Sequence, residues 1–186
     1  MRRWREIKKW EAEDGWRINP GTGEKDCYVG LCAHLEDDVR MGKGVWLGDC
    51  VWLGNDVRLG EGVRMGDHTH VGGRAWLGDG AQLGFGVQVG SGVRLGVGVR
   101  LGNYVSIPVY KSYNYAIHWH SPGMIRAGCI IKPFGWCLSN VRQVAAAHGY
   151  PPDEQARYAF FIEQIIEWET AMGDKVGWVE GAEKCI

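Results

Sequence analysis

What this sequence lacks narrows its chemistry before anything it contains. No stretch among its 186 residues approaches the roughly 20 apolar residues of a membrane span. The opening Met1-Arg2-Arg3-Trp4-Arg5, followed by Glu6, Lys8 and Lys9, has none of the apolar core of a secretory signal. A soluble, cytoplasmic protein is the expectation. Net charge is also missing: Lys and Arg number 21 against 22 Asp and Glu, a formal charge of -1. General nucleic-acid binding needs a basic excess, so any basic surface here has to be local. There is no nucleophile elbow, P-loop or dinucleotide fingerprint. The six Cys are not closely paired along the chain, which suits reduced thiols or metal ligands better than a secreted disulfide framework.

Two residue types are plentiful, 29 Gly and 10 Trp. The length suits one domain with modest additions. From Val29 the chain reads VGLCAH, LEDDVR, MGKGVW, LGDCVW, LGNDVR, LGEGVR, MGDHTH, VGGRAW, LGDGAQ, LGFGVQ, VGSGVR, LGVGVR and LGNYVS, thirteen hexads ending at Ser106 without an insertion. Position one is always Leu, Met or Val, position two is Gly except at Glu36, and position five is Val, Ala or Thr. A six-residue period fits neither a helix nor a hairpin meander. Positions five and one are expected to point inward around an outward position six, with the Gly turning the corner. Such a repeat builds a solenoid.

The repeat resembles the bacterial hexapeptide-transferase superfamily, whose motif of an aliphatic residue, Gly, two variable residues, a small residue and one more forms a left-handed parallel β-helix. The resemblance covers Val29 to Ser106. In that family three hexads make one triangular coil, which implies an all-β solenoid of about four coils, roughly 20 Å tall at ~4.8 Å between strands. The scaffold hosts acyltransferases, γ-class carbonic anhydrases, assembly subunits and phage proteins, so fold alone does not choose the activity.

The open ends of a solenoid need caps, and both flanks can supply them. Residues 1–28 form the expected N-terminal cap, with Trp4, Ile7 and Trp10 at helical spacing and a strand-like Gly15-Trp16-Arg17-Ile18. Residues 29–106 are the β-helix. Residues 107–186 form a strand and helix extension, a cap or oligomer clasp. In it Val109 to His120 and Met124 to Lys132 read as a hairpin joined at Ser121-Pro122-Gly123. Ser139-Asn140 is placed to cap a helix over Val141 to Ala147, and Pro151-Pro152-Asp153 opens a helix to about Met172, with Tyr158, Ile162, Ile165, Ile166 and Met172 on one face. The tail also resembles those of phage and prophage hexapeptide proteins.

The period assigns outward residues to three faces. The first carries Cys32/His34, Cys50/Trp52, His68/His70, Gly86/Gln88 and Tyr104/Ser106; the second Asp38/Arg40, Asp56/Arg58, Arg74/Trp76 and Gly92/Arg94; the third Gly44/Trp46, Gly62/Arg64, Gly80/Gln82 and Gly98/Arg100. All the Cys and His residues of the repeat fall on the first face. Cys32, Cys50 and His68 share a column at ~4.8 Å spacing, which suits a shared Zn2+ and equally a Cys32–Cys50 disulfide. The plain alternative is that small or packable groups line a trimer seam. The resemblance to γ-class anhydrases implies a metal held by three His, but their paired His four residues apart is absent. His68 or His70 could serve as the general base of an acyl-CoA-dependent transferase. The acyltransferases of the family, however, extrude a loop from their coils that walls the acyl-donor channel, and this chain has none.

Arg40, Arg58, Trp76 and Arg94 stack on the second face, and Trp46, Arg64, Gln82 and Arg100 on the third, so cation–π pairs are expected along both. Such strips suit phosphate or a stacked base, and exposed indoles mark interfaces. The alternative is that these rows only cover flat faces and mediate trimer contacts. The combined expectation is a homotrimeric, non-enzymatic binding or assembly protein of phage or prophage type, directed at a host system, whose partner is a protein or a phosphate-bearing ligand. A CoA-dependent acyltransferase and a metal-dependent hydratase are the alternatives.

Overall fold

The structure, a computed structural model, describes residues 1–111 and 116–179. The middle of the strand expected over Val109 to His120 lies outside the described residues. The chain divides into two compact units, Met1–Ser106 with the chain from Asp174, and Ile107–Gly173.

The first unit is a parallel β-solenoid of about four turns. Each hexad contributes a two-residue strand, positions six and one, and strands eighteen residues apart pair in parallel. His34–Leu35, Trp52–Leu53, His70–Val71 and Gln88–Val89 make the first sheet. Arg40–Met41, Arg58–Leu59, Trp76–Leu77 and Arg94–Leu95 make the second. Lys25–Val29, Trp46–Leu47, Arg64–Met65, Gln82–Leu83 and Val99–Leu101 make the third. From Leu35 to Val105 the residues at positions one and five are buried, among them Leu47, Val51, Leu59 and Val63 at 0% exposure. Thr69, the one polar residue in that core, donates its hydroxyl to the carbonyls of Gly66 at 2.7 Å and Gly84 at 3.2 Å. A buried hydroxyl left unbonded would be costly.

The corner differs from expectation in which residue makes it. Position four turns the chain: from Cys32 to Tyr104 each of these residues except Asp38 has a positive φ, including the non-glycines Cys32 (50°), Cys50 (53°), Asp56 (58°), His68 (58°), Arg74 (60°) and Tyr104 (58°). The glycine at position two is there because the next coil passes too close for a side chain. A Cβ at Gly48 would lie 2.3 Å from Asp67 Oδ1 and 2.7 Å from its amide nitrogen. Position three knits the coils: Asp49 accepts from the Leu31 amide at 2.7 Å, Asp67 from Asp49 at 2.8 Å, Asp79 from Glu61 at 2.8 Å and Asn103 from Phe85 at 2.9 Å.

Both ends of the solenoid are covered by antiparallel strands, which hide otherwise unpaired sheet edges. Arg2–Arg3 pairs with Arg40–Met41 and leads into α1, Trp4–Ile7, whose Ile7 is buried. This docking falls at LEDDVR, the hexad that departs from the pattern at Glu36 and Asp38. On the third sheet, Ala12–Glu13 and Trp16–Ile18 extend one end, and Val176–Trp178 pairs with Val99–Leu101 at the other. The last strand was not legible in the sequence. It returns part of the expected tail to the solenoid unit.

The second unit has its own core. The expected hairpin is a four-stranded antiparallel sheet, Val109–Lys111, Ala116–Ser121, Met124–Ala127 and Ile130–Pro133, carrying α2 (Phe134–Ala147) and α3 (Pro152–Met172). Trp119, Ile117, Ile125 and Ile165 are buried in it. α2 starts seven residues before the expected Val141. Ser139 and Asn140 do not cap it but sit inside, bonding back to the carbonyls of Gly135 at 3.0 Å and Trp136 at 2.9 Å. No helix among the described residues is long and apolar enough to cross a membrane.

Candidate functional site

The third sheet aligns one outward residue from each strand. Its register runs Glu13, Trp16, Tyr28, Trp46, Arg64, Gln82, Arg100 and Gly177. Three aromatic rings therefore precede two guanidinium groups separated by an amide. Trp16 meets Tyr28 edge-on at 5.6 Å between centroids, and Tyr28 stacks on Trp46 at 5.3 Å and 11°. Arg100 lies over Gly177 and donates to the Asp174 carbonyl at 2.8 Å. Trp16, Trp46, Arg64, Gln82 and Arg100 line an open groove of about 600 Å³, and among the described residues no carboxylate lines it. The sequence assigned Trp46, Arg64 and Arg100 to this face. It missed Tyr28, which pairs in parallel with Trp46 eighteen residues on and so stands in phase one residue before the first hexad, and Trp16, which reaches the row through an antiparallel hairpin outside the hexads.

Cys27, next to Tyr28 on the same strand, is buried, and its thiol is pushed up from 9.0 to about 11. Burial is the main cause and the Asp26 carboxylate adds to it, while Arg2 and Arg17 oppose. Asp26 is itself buried and held by an ion pair with Arg2. This pair ties the N-terminal strand to the hairpin that carries the aromatic end of the row.

The second sheet aligns Arg40, Arg58, Trp76 and Arg94 as expected, and Arg3 opposite Arg40 lengthens the row. Arg40 and Trp76 are half-buried, Arg58 and Arg94 exposed. Among the described residues, none of the expected guanidinium–indole pairs is seen along these rows. The cation–π contacts seen are Arg2 with Trp10, Arg17 with Trp4 and Lys132 with Trp136. On the third face the aromatic residue nearest Trp46 is Tyr28, and stacking takes the place of a cation.

On the first face His34, Trp52 and His70 form an aromatic column, His34 parallel to Trp52 at 6.4 Å and His70 tilted against it at 5.8 Å. His68 stands at the adjoining corner, edge-on to Phe85 at 5.2 Å, and Phe85 meets Tyr104 at 5.3 Å. His68 and His70 are exposed, and neither meets a carboxylate within ion-pair distance among the described residues. A catalytic His is normally oriented by such a partner.

Cys32 and Cys50, with Cα atoms 4.6 Å apart, are joined by a disulfide. The expectation of reduced thiols fails for this pair and holds for Cys27, Cys129 and Cys137. Stacked corners bring the two Cβ atoms of this column together, and of the zinc and disulfide alternatives that the separation of 18 left open, the disulfide is the one formed. With both sulfurs bonded, neither is a thiolate. Among the described residues no three His, Cys, Asp or Glu side chains gather as a metal site requires, so zinc at Cys32, Cys50 and His68 would need the reduced protein.

No family model matches the sequence, and no curated protein matches it.

Proposed function

We propose that the chain is a non-enzymatic binding protein that acts as a homotrimer, with the third-face row as its binding site. The observation that carries this reading is the order of groups along one sheet, Trp16–Tyr28–Trp46 followed by Arg64–Gln82–Arg100, in a groove that no carboxylate lines among the described residues. Aromatic faces take up a planar or apolar group, and guanidinium forks take up an oxyanion bidentately. A ligand offering both, a phosphate attached to a base or an acidic segment bearing an aromatic side chain, fits the row end to end. Phage or prophage origin and a host target rest on the resemblance of the repeat and tail. Acyl transfer has less support, since the coils carry no extruded loop to wall a donor channel and His68 and His70 meet no orienting carboxylate among the described residues.

The test is a titration with adenosine monophosphate and with adenosine, read by tryptophan fluorescence. The nucleotide is expected to bind more tightly than the nucleoside, and Arg64→Ala to weaken it by about tenfold. Trp46→Ala should weaken both. The second-face change Arg58→Ala should leave the binding unchanged. Binding indifferent to Arg64→Ala would move the site off this row. Acetyl-CoA turnover that is lost in His68→Ala or His70→Ala would replace the reading with the acyltransferase one.

A further inference from the structure

Inside the unit Ile107–Gly173, the strands Met124–Ala127 and Ile130–Pro133, α2 and the first half of α3 leave a half-open pocket of about 140 Å³. Its wall is nearly all apolar, with Ile125, Ile130, Val144, Ala145 and Ile162 supplying most of it. Ile125, Ala145 and Ile162 are among the buried core residues. Lys132 and His148, both exposed, also line the pocket, and among the described residues no Asp or Glu does. Trp136, which also lines the pocket, meets Lys132, whose ammonium is 5.1 Å from the ring centroid. Cys137, on the inner wall, is buried, and burial pushes its thiol up to about 11 while Lys132 pulls the other way. The interior is therefore uncharged and unreactive at neutral pH.

Size and charge together choose an occupant. A wall of this kind offers water few of the two to four partners it needs, whereas an apolar cavity of about 150 Å³ stays dry and accepts a single aromatic ring. The cation at the mouth and the absence of any acid on the wall among the described residues then select against cations and in favour of a carboxylate. We propose that this pocket binds a small carboxylic acid built on one aromatic ring or a short aliphatic chain, its apolar part among Ile125, Val144 and Ile162 and its carboxylate on Lys132. The site lies in a different unit from the third-face row and does not depend on it.

The experiment uses the full chain with benzoate and with toluene as its uncharged counterpart, followed through the methyl NMR signals of Ile125, Val144 and Ile162. Saturable benzoate binding is expected, with shifts confined to these methyls and protection of the exposed Cys129 at the rim from alkylation by iodoacetamide. Lys132→Gln should weaken benzoate by about tenfold and leave toluene unchanged, while Lys132→Arg retains most of the benzoate affinity. Val144→Phe, which fills the pocket, should abolish both, and the Lys132 variants decide the matter if that protein does not fold. Benzoate binding unaffected by Lys132→Gln would overturn the proposal. So would shifts spread outside the pocket, toluene binding without benzoate binding, or no saturable binding of either.

Discussion

Glycine is used in two ways in the hexads, and the two respond differently to an added methyl group. At position two the methyl has nowhere to go: in Gly48→Ala it would sit against Asp67 Oδ1 and backbone, 2.3 and 2.7 Å away. At position four the space is open, since nothing lies within 4 Å of a Cβ at Gly80, and the difficulty is the φ of +67°. Gly48→Ala is expected to cost roughly 3 kcal/mol by forcing two coils apart, and Gly80→Ala about 1 kcal/mol as the ordinary penalty of a left-handed residue. Paired thermal melts check the ranking, and equal costs would mean that the coils are not as tightly stacked as described. The pattern was legible in the sequence but its cause was not. A one-letter string shows that Gly recurs at position two, and it cannot show whether a glycine serves a dihedral angle or a close approach. The third corner did carry a usable signal, because Gly44, Gly62, Gly80 and Gly98 repeat at position four there. The first corner keeps side chains at Cys32, Cys50, His68 and Tyr104 despite the same backbone. The second corner does the same at Asp56 and Arg74.

Between elements, single residues act as ties, and three of these ties make definite claims. In the second unit Glu169 of α3 accepts from the Trp119 indole and from the Gly123 amide at 3.0 Å. Trp119 is fully buried, so Glu169→Ala leaves donors without an acceptor and is expected to cost about 2–3 kcal/mol. Glu169→Gln keeps an acceptor and should cost less than half of that, read from the urea midpoint of Trp fluorescence. In the solenoid the Cys32–Cys50 bond clips the first coil to the second across 18 residues. Reduction or Cys50→Ser should each lower stability by about 3 kcal/mol without adding to each other. One equivalent of zinc taken up only by the reduced protein, and lost in Cys50→Ser, is what a Cys32/Cys50/His68 metal site requires. In the N-terminal cap Cys27 has its folded pKa raised from 9.0 to about 11. Raising that value favours the neutral thiol in the folded state, so its stabilising effect is complete below pH 9. It is lost as pH climbs toward 11. Wild type should therefore lose stability over that interval relative to Cys27→Ala, and parallel curves would contradict the buried thiol. Periodic elements were legible because their spacing is local. The Cys32–Cys50 tie was open to the same reading, whereas the longer ones were not: Glu169 with Trp119, or Val176–Trp178 with Val99–Leu101, depend on chain closure over 50 residues or more, for which no local pattern exists.

At the scale of the whole molecule the three faces differ enough to suggest how copies would meet. The third face carries the groove of the proposed binding site. The second face carries Arg3, Arg40 and Arg58 in one row, and a row of like charges repels its own copy, which disfavours a two-fold pairing through that face. The first face is aromatic, with Trp52 38% exposed between His34 and His70, and at its corner Leu31 and Tyr104 are 77% and 73% exposed. Leu31 and Tyr104 stand at opposite ends of that corner column, and the exposed Trp52 indole between them is the apolar group that marks an interface. In the proposed homotrimer the first face of one copy meets the second face of the next, head to tail, bringing guanidinium groups onto the Trp52 indole, and three such contacts close a ring. Sedimentation at micromolar concentration is expected to show three chains per particle. Trp52→Lys, which removes the indole and adds a charge opposite the arginines, should shift the particle to a single chain. Trp46→Lys, on the groove, should leave it intact. A wild-type monomer would end the ring proposal, and a particle that survives Trp52→Lys but dissociates in Trp46→Lys would move the seam onto the third face and leave the groove buried between copies.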